Sequence, residues 1–185
     1  MKIVPTALAD VRLVEPRVHA DDRGWLVESH RPEAFEALGL PAHFSQENTS
    51  LSHPGVLRGL HFQVRHPQGK LITVARGTIY DVAVDLRPGS PDRGRWVGVL
   101  LSAATPRMLW VPPGFAHGFY VTEGPAVVCY KLTAPYAPDW DRCLSWDDPT
   151  VGVRWPLQGP PILSERDRRG MSWQEALACL EGEAR

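Results

Sequence analysis

The stretch GVLRGLHFQ, Gly55 to Gln63, sets one arginine and one histidine among apolar residues and two glycines. A histidine in that setting serves as a metal ligand, as a proton-transfer base, or as a packed core residue whose ring is satisfied locally. A small β-barrel that holds a metal typically uses an HxH pair, a carboxylate a few residues on and a third His on another strand. His61 is instead followed by Phe62 and Gln63; His66 and Glu47 are ligands in principle, but no cluster has the spacing of a closed Zn or Fe site. The expectation is therefore no metal. Lys70, in HPQGKL, enters an apolar strand, where lysine is a poor choice for packing. Tyr130, in VVCYKLT, shares a strand face with Val128 and Leu132, and taken alone is a core aromatic. His117, in PPGFAHGF, follows a glycine turn that lets backbone approach a ligand closely, whereas Asp167, in LSERDRR, taken alone is a solvated surface acid.

Brought to one cavity, His, Lys, Tyr, Arg and Asp are the groups needed to abstract a proton next to a carbonyl. A neutral His held by an Asp takes the proton, Lys stabilises the enolate oxygen, and Tyr returns a proton to the opposite face. Neither a metal nor a nucleotide cofactor is required. One local inference does not close: Arg58 and His61 are three residues apart and face opposite sides of a regular strand. A bulge at Gly59 would bring both inward.

The elements that must position these groups are mostly strands. Val11 to Pro16 and Gly24 to Ser29 are short β-rich runs, the second entered by the turn signal ADDRG; KLITVARGTIYDVAVDLR reads as two strands around a Gly77 turn. Val82, Val84 and Leu86 alternate with Asp81, Ala83 and Asp85, the period of a strand with unlike faces. RWVGVLLSA, RMLWVPPG, HGFYVTEG and AVVCYKLTAPY continue at a spacing of roughly ten residues. The 18 prolines and 16 glycines are scattered as turns between short elements. This pattern predicts an all-β fold, a jelly-roll (cupin-like) barrel able to enclose a small ligand, with short peripheral helices and extended terminal arms. Helices are expected in RPEAFEALG and, with Ser172 as N-cap and Glu175 three residues on, in SWQEALACLEGEA. Pro135 to Pro138 and Pro156 to Pro161 are expected as extended arms of the kind that cross to a partner subunit.

At 185 residues the chain suits a single domain over 1–185, with a barrel core over approximately 20–150 and a C-terminal arm and helix over approximately 151–185. A net charge of −1, from 20 basic and 21 acidic residues, provides no global field for nucleic acid or an anionic membrane. Cys129, Cys143 and Cys179 form no CxxC pair and fit a reducing compartment, so the expected location is cytoplasmic. Charged residues come too early for a signal-peptide core, and no run approaches the ~20 apolar residues of a membrane span; a soluble protein is expected.

Eight segments in order, DDRGWLVES, SQENTSLSHPGVLRGLHFQ, QGKL, DVAVDLRPGSP, VPPGFAHGF, YKLTAPYAP, WDDPTVGVRWP and ILSERD, make the chain strongly resemble the dTDP-4-dehydrorhamnose 3,5-epimerases, cupin-fold sugar-nucleotide epimerases, from about Lys2 to Trp173. The resemblance implies His61 as general base, Asp167 as the carboxylate orienting it, Tyr130 as general acid and Lys70 beside the sugar 4-keto oxygen. It implies substrate contacts from Arg23, Glu28, Gln46, Asn48, Arg58, His117, Asp141 and Arg166, with Arg23 and Arg58 gripping diphosphate or sugar through charge-assisted hydrogen bonds. Tyr136 falls where the family stacks an aromatic on thymine. Asp141 stands where Glu is common, Arg166 where Lys is frequent, Trp25 at a usual Phe, and the loop before Lys70 is slightly short. The activity implied is epimerisation of dTDP-4-dehydro-6-deoxy-D-glucose at C3 and C5 by a homodimer, without cofactor. Rival expectations are an epimerase of C3 or C5 alone, a non-catalytic nucleotide-sugar binder and a metal-dependent cupin.

Overall fold

The computed structural model describes residues 1–182. Glu183, Ala184 and Arg185, where the expected C-terminal helix and the single domain would end, lie outside the described residues. Among the described residues eleven strands run in chain order: β1 Lys2–Pro5, β2 Arg12–Glu15, β3 Val18–Asp21, β4 Gly24–Val27, β5 Gln46–Ser52, β6 Leu57–Gln63, β7 Lys70–Asp85, β8 Trp96–Ser102, β9 Met108–Val111, β10 Phe115–Leu132 and β11 Asp141–Cys143. Three α-helices accompany them, α1 Pro32–Ala37, α2 Glu165–Arg168 and α3 Trp173–Gly182, with one 3-10 turn at Pro138–Trp140. None is long and apolar enough to cross a membrane.

Two long strands organise the barrel. The expected turn at Gly77 is a bend inside one 16-residue strand, β7, and the runs HGFYVTEG and AVVCYKLTAPY are likewise one 18-residue strand, β10. Gly77 has φ +76°, and a Cβ there would lie 2.6 Å from the Glu123 carbonyl oxygen. The bend therefore presses against β10 where the pairing slips register between Val121 and Val128. Pairing resumes beyond it, which is why neither strand ends. Before Gly77, β7 is flanked by β9; after it, by β8. On the far edge of β10, β5 pairs along Ala126–Leu132 and β6 along His117–Tyr120. Two layers thus share β7 and β10, and their inner faces meet in one core, with Ile72, Leu109 and Val128 from one half and Ala83, Val97 and Phe119 from the other.

Both outer faces are also covered. Val82, Val84 and Leu86 pack with Leu60, Leu144 and Ala176 of α3, so the alternation in DVAVDL separates two buried sides instead of a wet and a dry one. Phe35 of α1 packs on Leu71, Met108 and Trp110 across the other layer. α3 begins with the expected capping box: the Glu175 carboxylate accepts from the Ser172 amide at 2.7 Å, and the Glu175 amide donates to Ser172 Oγ.

The proline-rich stretches expected as extended arms are each tied to their own barrel by hydrogen bonds. The Tyr136 amide donates to Gln46 Oε1 and the Ala137 amide to Gln63 Oε1, both at short range, and the Gln158 amide donates to Tyr120 Oη. Two glutamine carbonyls and a tyrosine hydroxyl from the barrel thus accept from backbone that prolines keep out of a sheet.

β6 carries the irregularity that the sequence required. His117 of β10 faces His61, and Phe119 faces Arg58, so two steps on β10 meet three on β6. This bulge puts Arg58 and His61 on one side. It depends on two glycines back to back: a Cβ on Gly118 would lie 2.5 Å from the Arg58 carbonyl oxygen, and one on Gly59, at φ +118°, 2.6 Å from Gly118 Cα. Gly118→Ala should force β6 and β10 apart, at the ~1–3 kcal/mol typical of overpacking, lowering the melting temperature by ~2–4 °C per kcal/mol and reducing turnover. Unchanged melting and turnover would contradict the close approach.

Candidate active site

The inner face of β5 is polar. Gln46, Asn48, Ser50 and Ser52 alternate inward while Glu47, Thr49 and Leu51 face out. Such a strand cannot complete a hydrophobic core, and beside it the barrel holds a cavity of about 350 Å³. Gln46 and Asn48 line it from β5, Arg58 and His61 from β6, Lys70 from β7, and His117 and Tyr130 from the two halves of β10. Tyr136, Asp141 and Arg166 line it as well.

His61 is held from behind. Its Nε2 lies 2.6 Å from Asp167 Oδ1, which brings together residues 106 apart in sequence. Asp167 is 4% exposed, not the solvated acid its loop suggested. Ser164 caps α2 by accepting from the Asp167 amide, and its hydroxyl donates to Asp167 Oδ2 at 2.6 Å; the Gly59 amide adds a bond to Oδ1. Burial would raise the Asp167 carboxyl, but the bonds from His61, Ser164 and Gly59 outweigh it and hold it at about 2. Burial lowers the His61 imidazole; Asp167 opposes that shift, and the positive charges of Arg166 and Lys70 add to it. The ring is therefore neutral near pH 7, with Nε2–H donated to the carboxylate and the lone pair on Nδ1.

Lys70 is 8% exposed and donates to the His61 carbonyl oxygen at 3.3 Å. Burial lowers its ammonium to about 8, against the pull of Asp141 and Asp81. It remains mostly a cation at pH 7, at the cavity wall, so the short loop before it does not displace it. His117 is fixed by a buried carboxylate, its Nε2 lying 2.8 and 3.0 Å from the two oxygens of Asp81.

At the cavity's edge Tyr136, half exposed, donates its hydroxyl to Asp141 Oδ2 at 2.9 Å, and Arg166 pairs with the same carboxylate oxygen at 2.5 Å. The shorter acid at position 141 thus reaches both neighbours. Arg23 and Glu28 do not line this cavity: they belong to the β3–β4 hairpin, a separate two-stranded sheet, where Arg23 pairs with Asp21 and Glu28 with Arg31. Three contributors were missed in the sequence: Asp81, Ser164 and Cys143. The S-x-x-D spacing of Ser164 and Asp167 was a legible capping signal; Asp81 and Cys143 had none. Cys143 donates weakly to Asp167 Oδ1 at 3.8 Å, and burial pushes its thiol up to about 12, so it stays protonated.

The model of the dTDP-4-dehydrorhamnose 3,5-epimerase family matches residues 5–175. The chain belongs to that family. It is therefore an isomerase with a cupin-like jelly-roll fold. The dTDP-4-dehydrorhamnose 3,5-epimerase of Pseudomonas aeruginosa is 51% identical over 177 residues, covering 95% of this chain and 98% of that protein. The crystal structure of the Legionella pneumophila dTDP-6-deoxy-D-glucose-3,5-epimerase, in complex with dTDP-4-keto-L-rhamnose, superposes with a TM-score of 0.89 at 42% identity, covering 92% of each chain. ChmJ, a 3'-monoepimerase of Streptomyces bikiniensis solved with dTDP-quinovose, superposes at 0.86 with 32% identity, covering 97% of this chain and 90% of that one.

The two shifted groups predict a bell-shaped pH profile of kcat/KM. Because the His61 imidazole is lowered, the acid limb should fall below pH 6.5, where an ordinary histidine would already be charged. The basic limb should lie near 8, where Lys70 loses its positive charge. In Lys70→Arg any residual activity should persist to higher pH, since guanidinium stays charged. A basic limb unmoved in that variant would assign it to another group.

Proposed function

We propose that this chain epimerises C3 and C5 of dTDP-4-dehydro-6-deoxy-D-glucose, giving dTDP-4-dehydro-L-rhamnose, with His61 as base and Tyr130 as acid. The observation that carries this reading is a neutral, carboxylate-held imidazole sharing one cavity with a buried lysine and a tyrosine on a different strand.

The substrate's C3 and C5 hydrogens flank a ketone and are acidic only because deprotonation yields an enolate. His61 Nδ1 takes the proton, and the imidazolium that forms is stabilised by Asp167. Lys70 offsets the charge that develops on the 4-oxygen, an interaction strengthened where water is sparse. Tyr130 returns a proton to the other face, which inverts the carbon. Arg58 and Arg166 supply positive charge for the diphosphate, and Tyr136 offers an exposed ring to the base. Gln46, Asn48 and His117 contribute hydrogen-bonding groups to the sugar, and Asp141 sets the position of Arg166 and Tyr136.

The working unit is a single-domain, cytoplasmic homodimer. The β3–β4 hairpin supports this, because it exposes Val18, Trp25 and Leu26 while holding Arg23 and Glu28 away from this chain's own cavity. On a second copy those two residues would reach the partner's substrate. The free cysteines fit a reducing compartment.

Turnover of the dTDP-4-keto sugar in deuterated water should place label at both C3 and C5, read by NMR. Label at C3 alone would make the chain a monoepimerase, the activity named for the Streptomyces bikiniensis relative. His61→Ala should lose ~10²–10⁴-fold in kcat, the usual worth of a general base; near-normal turnover would refute its role. For the dimer, mixing inactive His61→Ala with Arg23→Ala subunits should restore activity, since one site of each mixed pair is then intact. No restoration would place Arg23 outside the partner's site.

A further inference from the structure

The donor atoms of His61, Cys143 and Asp167 lie within 4.8 Å of one another, brought in from β6, β11 and α2. Two separations are fixed by direct contacts: 2.6 Å between His61 Nε2 and Asp167 Oδ1, and 3.8 Å between Cys143 Sγ and the same oxygen. The proton transfers above make no use of the Cys143 sulfur. Imidazole nitrogen, thiolate sulfur and carboxylate oxygen together are the donor types that zinc prefers. We propose that these three side chains form a latent zinc site, at which Zn²⁺ capture inhibits the enzyme by occupying its base.

Zinc bonds of ~2.0–2.3 Å in a tetrahedron place neighbouring ligand atoms ~3.3–3.8 Å apart. The Cys143–Asp167 separation already fits, and His61 must draw back from Asp167 by less than ~1 Å. The His61 side chain is 29% exposed and the Asp167 side chain 5%, so the ion enters from the cavity as the His61 ring draws back from Asp167, and a water carried in with it takes the fourth position. The protons balance simply. Asp167 is already an anion, the Cys143 thiol releases its proton to solvent, and the His61 proton moves from Nε2 to Nδ1 as Nε2 binds the metal. Nδ1 then carries a hydrogen and can accept none from the sugar. Metal capture rests on the geometry alone; the inhibition rests also on the role proposed for His61.

The full-length protein is titrated with Co²⁺ and, separately, assayed with Zn²⁺. Wild type should show a thiolate-to-cobalt charge-transfer band, absent in Cys143→Ala, and Zn²⁺ should suppress its turnover until EDTA restores it. With each protein referred to its own metal-free rate, Cys143→Ala should need at least ~10-fold more Zn²⁺, the lower bound of what even an outer-shell partner is worth. The near-isosteric Cys143→Ser covers the case in which Ala does not fold, with the same loss of band and potency expected. Equal sensitivity of wild type and both variants, or cobalt binding without the band, would overturn the site. A wild-type band with turnover unaffected by Zn²⁺ would uphold the site and remove His61 from the base role.

Discussion

The short contact between His61 and Asp167 is the constraint on which the rest of the site depends. A carboxylate as buried as Asp167 is expensive unless every oxygen is satisfied. Its donors are an imidazole, a hydroxyl, a backbone amide and, weakly, the Cys143 thiol, drawn from β6, β11 and its own helix cap. The path of the C-terminal chain follows from this need. Ile162 pairs with the entry to β6 through Gly55 and Leu57, and Met171 pairs with Cys143 and Ser145 just beyond β11. Between those two anchors the single turn of α2 swings Asp167 under His61. The carboxylate that holds the His61 ring is thus the same one that fastens the C-terminal segment to the barrel.

Positive charge in the cavity is held on similar terms. Lys70 stays ionised at neutral pH because Asp141 and Asp81 partly offset its burial, and Arg166 is tied to Asp141. Arg58 is steadied by Ser52 Oγ at 2.9 Å. Fixed cations around the cavity are poised for a diphosphate and for an enolate without having to reorganise as charge develops. Of these charges Arg166 and Lys70 also lower the His61 imidazole, so the cavity's positive charge and its neutral ring have a common origin.

Much of this was legible in the sequence, and what was not has identifiable causes. The chemical types of His61, Lys70 and Tyr130, and the strand character around them, are local properties, and the order of eight motifs supplied the family. Gly77 misled because a glycine within an apolar run signals a turn, whereas here it marks a bend that only β10, lying against it, can impose. The bulge at Gly59 that gives Arg58 and His61 a shared side could be named from the glycine, but its register is counted against β10, a partner that sequence alone does not identify. Asp167 looked solvated because its loop is charged; its burial is decided by β6, more than a hundred residues away. Cys143 offered no periodicity or spacing to mark it, since its importance is its nearness to Asp167.

Epimerising one carbon or two is not decided at the level of fold, because a monoepimerase shares the barrel. C3 and C5 lie on either side of C4, while His61 and Tyr130 are each fixed to one strand. With the base and acid roles proposed above, these two groups can serve both carbons only if the sugar presents each in turn, pivoting about a carbonyl near Lys70. The walls must therefore grip the nucleotide firmly and the sugar loosely. Arg166, Asp141 and Tyr136 are interlocked by hydrogen bonds at the cavity's edge, a fixed rim of the kind such a firm grip requires. Residues that limit how far the sugar can turn between His61 and Tyr130 would then set the number of centres inverted, with the acid and base unchanged.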